Sequence, residues 1–190
     1  VNLSREKFSV DREQKAIRFG LNAVKNVGWG AIRAIKEEIG RNGPYQDLFD
    51  FVERVGELSV NKKAVESLIR AGALDSLPGN RAQKLRAFES AMDGAARARK
   101  KNVEGQLSLF ALEGAAPAAP RPPLPPAPQL SPRALLAMEK EVTGVYISGH
   151  PLDEYKDTLD QLPVNARTLA ELAEESDQGL SMNGRPVCMG

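Results

Sequence analysis

"LNAVKNVGWGAIRAIKEEIG", residues 21–40, decides how the rest of the chain is read. Leu21, Val24 and Val27 recur at a helical spacing, and beyond Gly28–Gly30 so do Ile32, Ile35 and Ile39. The pattern predicts helix, tight turn, helix, with Gly40 closing the second helix. A helix that starts straight out of a tight turn presents free backbone N–H groups and the positive end of its dipole. That is a seat for a phosphate oxygen. Gly28 and Gly30 bring no side chain to block close approach, and Lys25 and Arg33 stand near enough to add charge. Such contacts hold a duplex by its backbone without reading its sequence.

Upstream, Phe8 and Val10 match Ile17 and Phe19 across the polar "DREQK", which predicts a β-hairpin ending near residue 20. Downstream, Gly43-Pro44 signals a turn, followed by a short helix with Leu48, Phe49, Val52 and Val55 facing inward. A further helix carries Ala64, Val65, Leu68 and Ile69 and stops at Ala71-Gly72-Ala73, a degenerate second copy of the first turn. Asn80 is placed to cap a long helix with Leu85, Phe88 and Met92 on one face. Arg97, Arg99, Lys100 and Lys101 crowd its end, where cations suit the helix dipole.

From 114 to 132 the chain carries 8 of its 13 prolines, which exclude helix and central strand and predict a stiff, extended spacer. Ser131 and Pro132 then open a helix with Leu135, Leu136, Met138 and Val142 on one face. An acidic short helix follows, and "NGRPVCMG" reads as the opening of a strand cut short. The expected class is mainly α. A small N-terminal β-hairpin (1–20) leads into a tandem helical-hairpin domain (21–104). A short apolar peptide (105–113), a proline-rich linker (114–132), a helical connector (133–178) and the start of a truncated β domain (179–190) complete it.

The 190 residues allow one domain or two. No apolar run reaches the roughly 18 residues of a membrane helix, so no membrane contact is expected. Val1 stands where a start methionine would, and the chain reads as an internal piece of a longer one. One cysteine, Cys188, and one histidine, His150, exclude an internal disulfide and a Cys/His zinc set. His150 lies before a proline with no nucleophile elbow near it and reads as a structural or surface residue. Residues 1–105 hold 20 Lys/Arg against 14 Asp/Glu, and residues 106–190 hold 6 against 11. The basic half is the one suited to phosphates.

The 21–40 stretch resembles the helix-hairpin-helix motif of DNA-binding proteins, with Asn26 where that motif often has a first glycine. Asn tolerates positive φ, so the turn is preserved. A longer resemblance runs through "IRFGLNAVKNVGWGAIRAI", "GPYQDLFDFVERV", "NKKAVESLIRAGALDSL" and "NRAQKL". These segments occur in the order seen in the alpha subunit of bacterial DNA polymerase III. "MEKEVTGVYISGHPLDEY" is similar to the segment preceding that family's oligonucleotide-binding domain.

The resemblance implies double-stranded DNA as a partner. The expected contacts are Lys25, Asn26, Val27, Gly28, Trp29, Gly30 and Arg33 in the first hairpin, and Ala71, Gly72 and Ala73 in the second. It also gives a meaning to "QLSLF", an apolar pentapeptide at the edge of a proline run, which looks like the family's sliding-clamp-binding peptide. Leu109 and Phe110 would fill an apolar pocket, Gln106 would bond at the rim, and Leu107 and Ser108 would complete the contact. Other polymerase III holoenzyme subunits and a cytoplasmic setting follow from the same resemblance. The family's catalytic carboxylates lie upstream of the matched region. This piece is therefore expected to lack catalytic and metal-binding residues, with Mg serving the parent polymerase. Two rivals remain: a non-catalytic DNA-binding scaffold whose QLSLF is core, and a repair glycosylase or nuclease on the same hairpin. The second needs a catalytic acid, lysine or metal site, and Asp75 is the acid nearest the second turn.

Overall fold

Ser9–Asp11 (β1) and Ala16–Arg18 (β2) pair antiparallel, forming the expected hairpin, with Val10 opposite Ile17. The Phe8 and Phe19 rings meet edge to face at 4.6 Å, and Arg18 bonds Asp11 across the ribbon. The computed structural model describes residues 1–12, 15–56, 60–103 and 121–160. The ribbon joins the helices through backbone, since Arg5 and Glu6 carbonyls accept from the Leu21 and Asn22 amides. Gly20 allows that approach: a Cβ there would lie 2.5 Å from the Lys7 carbonyl carbon.

The first helix expected from the 21–27 spacing is a single 3-10 turn, Leu21–Ala23. Val24 is extended and Asn26 takes φ 64°, so the backbone cannot continue as a helix. Leu21, Val24 and Val27 are buried all the same. Period-three burial arises here from a 3-10 turn and an irregular step. Trp29–Asn42 (α1) buries Ala31, Ile32, Ile35 and Glu38. It runs through Gly40 and stops at Gly43, whose φ of 76° leaves the helical region.

Leu48–Val55 (α2), Lys62–Arg70 (α3), Arg81–Val103 (α4) and Pro132–Thr143 (α5) follow. Asp47, Asn61 and Ser131 cap α2, α3 and α5 through their side chains. Asn80 and Gln83 close a reciprocal capping box on α4, each at 2.9 Å from the other's amide. α2 and α3 both pack on α4, and α5 lies against α3. The core between them includes Ile32, Ile35, Leu48, Phe51, Val52, Val55, Val65, Leu68, Ile69, Leu74 and Phe88. Phe51, not Phe49, is the fully buried phenylalanine of α2.

Four charged residues are buried with this core: Glu38, Arg81, Lys84 and Glu139. Lys84, 1% exposed, donates to the carbonyls of Leu74, Leu77 and Gly79 at 2.9, 2.8 and 2.6 Å and so fixes the α3–α4 loop. Arg54 bonds Glu38 and Asp50 and lies 4.3 Å over the Tyr45 ring. Glu139 of α5 is fully buried; one oxygen accepts from the Ile147 and Ser148 amides, and the other meets Arg81 at 2.9 Å.

Residues 121–131 form neither helix nor strand, as their prolines require, but they are not a free spacer. Arg121 pairs with Asp47, the cap of α2, and with Glu53 within it, at 2.7 and 3.4 Å. Leu124 packs against the core beside Gly79. The carbonyls of Pro126 and Ala127 accept from Arg86 and Asn80. Prolines leave carbonyls without neighbouring N–H donors, and α4 supplies those donors instead.

The chain divides into two units, 1–148 and 149–190. In the second, Pro151–Tyr155 forms a 3-10 turn and Lys156–Asp160 a short helix (α6). His150 caps that turn: its ring Nδ1 accepts from the Leu152 amide, and its own amide donates to Asp153. The expected clamp peptide, the start of the proline run (114–120), the acidic helix beyond 160 and the closing strand lie outside the described residues.

Candidate nucleic-acid interface

Asn26 begins the first turn. Its left-handed backbone redirects the chain, and its side-chain amide donates to the buried Ser67 hydroxyl of α3 at 3.0 Å. The Lys25 amide donates to the Val142 carbonyl at 2.8 Å, which ties the turn to α5. Val27 is buried beneath, so the turn is pinned from three sides. Its outer side is open: Lys25, Asn26, Gly28, Trp29, Gly30 and Arg33 are all exposed.

Gly28 is the N-cap of α1, and no side chain bonds the first-turn amides. The other four helices of eight residues or more, α2 to α5, each carry a side-chain cap. α1 therefore keeps free donors at the positive end of its dipole. A Cβ at Gly28 or Gly30 would meet nothing within 4 Å, and neither glycine has positive φ. The fold itself does not need glycine at these two places. Bare backbone there leaves room for something outside the chain. The turn faces a shallow hollow of about 560 Å³ bordered by Asn26, Val27, Gly28, Gly30, Ala31, Asn61 and Ala64. Lys25 and Arg33 flank the turn as exposed cations.

The second turn is built differently. Ala71 is buried, and Gly72 and Ala73 are half-buried. Gly72 takes φ 76°, and a Cβ there would lie 2.2 Å from Arg81 Nη2. Arg81 covers the turn, clasping Asp75 through Nε and Nη2 at 2.9 and 2.6 Å and Glu139 through Nη1. The structure thus brings Lys25, Gly28, Trp29, Gly30 and Arg33 to one open surface. It places Ala71–Ala73 under the chain's own guanidinium. Gly72→Ala should cost about 2 kcal/mol through backbone strain and displacement of Arg81, read as a lower urea midpoint.

Asp75, the acid nearest that turn, is engaged by Arg81 and is not a free general base. Among the described residues no three His, Cys, Asp or Glu side chains cluster to hold a metal ion. No described helix is long and apolar enough to cross a membrane.

The buried charges Lys84 and Glu139 escaped the reading of the sequence, yet a signal was present. Glu139 lies between Leu136 and Val142 on the inward face of α5, and Lys84 shares the face of Phe88. A charge at an apolar register position marks a buried network rather than a surface residue.

The uncapped start of α1 thus lies behind an Asn-Val-Gly turn on a mainly helical unit. Residues 1–84 match the family model described as "helix-hairpin-helix motif". Beyond that class, the chain is similar over most of its length to a segment of DNA polymerase III subunit alpha. The Thermus aquaticus protein of that name is 42% identical over 175 residues, covering 92% of this chain and 14% of that protein. Those of Chlamydia trachomatis serovar D and Borreliella burgdorferi are 37% and 34% identical, covering 86% and 97% of this chain. The chain spans only 13% to 16% of the length of these relatives.

Proposed function

We propose that this chain is the part of a bacterial replicative DNA polymerase that grips duplex DNA by its backbone and carries the peptide that binds the sliding clamp. One observation supports the grip above the rest: the first turn of α1 has no side-chain cap, and its exposed glycines serve no need of the fold. The free amides near Gly28–Gly30 receive one phosphate, and Lys25 and Arg33 add Coulombic attraction to its neighbours. Contact to phosphates alone suits an enzyme that must pass over every sequence.

The clamp contact is read from Gln106, Leu107, Ser108, Leu109 and Phe110 and from the likeness to the polymerase family. Two weak grips in one chain act together, because the second forms within an already tethered complex. Avidity gains of about 10²–10⁴ are reached this way. Polymerisation, with its Mg, belongs to carboxylates elsewhere in the full-length enzyme, which works inside the cell alongside the other holoenzyme subunits.

The test is a double variant. Gln106→Ala with Phe110→Ala is expected to abolish capture by purified bacterial sliding clamp while leaving duplex affinity within about two-fold. Retained capture would reject the peptide assignment and favour the scaffold reading. Loss of both activities, with an altered circular dichroism spectrum, would mean that the pentapeptide is core.

A further inference from the structure

Trp29 is the first residue of α1, and it is 52% exposed between two glycines that have open space around them. It is the only tryptophan in the chain. Half-exposed indole is costly to leave in water, and tryptophan is enriched where surfaces are covered on binding. Arg33 stands one turn further on the same exposed side of the helix. The ring therefore shares a surface with the phosphate seat and its flanking cations.

We infer that Trp29 lies against the deoxyribose beside the bound phosphate and makes this surface prefer DNA over RNA-containing duplexes. The inference rests on the phosphate-binding reading of the first turn. With a phosphate at the α1 amides, the next group along a nucleic-acid strand is a sugar. Paired bases are closed within the stack and out of reach of a residue anchored at that phosphate. The C2′ methylene of deoxyribose offers an apolar edge to the indole. In RNA the same edge carries a hydroxyl, displayed in the wide, shallow minor groove. Covering that hydroxyl with a ring that cannot bond it strips its water without compensation. The contact is apolar, so it adds affinity that salt does not screen, unlike the phosphate component.

The experiment titrates the whole chain with a DNA duplex, the matching DNA·RNA hybrid and the DNA single strand, following the emission of its one tryptophan. DNA duplex is expected to shift the emission and to bind about ten-fold tighter than the hybrid. Trp29→Ala should bring the two affinities within about two-fold and leave the salt slope of DNA binding unchanged, while Trp29→Phe keeps part of the preference. Emission unmoved by saturating duplex, or preference retained in Trp29→Ala, would overturn the inference while duplex binding itself persists. A larger emission change with single strand than with duplex would replace the sugar contact by base stacking and overturn it too. Absence of salt-dependent duplex binding would defeat the underlying reading instead.

Discussion

Glu139→Ala is expected to destabilise the unit of residues 1–148 by about 3–5 kcal/mol, because it strands Arg81 and two backbone amides in a buried site. Arg81 is 8% exposed and Glu139 fully buried, so water cannot replace the lost partner. Burial by itself opposes the charge on Glu139. The amides of Ser148 and Ile147, together with Arg81, outweigh it and hold the carboxyl below the ordinary glutamate pKa. The sign of the pH dependence follows. A carboxyl depressed in the folded state contributes stability that is fully present above its unfolded pKa. That stability is lost as pH falls through the folded value. Urea unfolding of wild type and variant should therefore differ most near neutral pH and converge in acid. A difference below about 1 kcal/mol at neutral pH would show that the network is surface-like.

This network bears on the interface as well as on stability. Arg81 seals the second turn, Glu139 fixes α5 against α4, and the Val142 carbonyl of α5 holds the Lys25 amide. Weakening the first contact loosens the support of the open turn. The order of α3, α4 and α5, the caps at Asn80 and Ser131, and the hairpin of Val10 and Ile17 were all legible in the chain. They rest on local rules of periodicity and capping, which a sequence displays directly. Of the residues expected at the first turn, Lys25, left-handed Asn26, Gly28, Trp29, Gly30 and Arg33 are exposed, while Val27 is buried.

What escaped the sequence depends on distant partners. Leu21, Val24 and Val27 signal burial, but extended Val24 and left-handed Asn26, the latter bonded to Ser67 of α3, stop the helix after one 3-10 turn. The second turn looked like a copy of the first, yet Arg81, nine residues beyond Gly72, determines that it is covered. The docking of 121–131 depends on donors from Arg86 and Asn80 and on the α2 carboxylates, which proline composition cannot reveal.

Reversing the charges of Lys25 and Arg33 carries the largest expected effect on function. Both are exposed beside the uncapped start of α1, so Lys25→Glu with Arg33→Glu should leave the fold intact. Each cation that neutralises a phosphate releases a counterion, and each loss flattens the plot of log affinity against log salt by about one unit. The pair should lower duplex affinity about 100-fold at low salt and reduce the slope by about two.

That slope is the most direct measure of the central claim, that the Asn26–Gly30 turn holds duplex DNA by its phosphates. Duplex affinity of wild type and of the Lys25→Glu, Arg33→Glu variant is measured across a salt series, with unfolding midpoints as the control for folding. The claim requires a shallower line for the variant at an unchanged midpoint; parallel lines of equal height would place the DNA contact elsewhere on the chain.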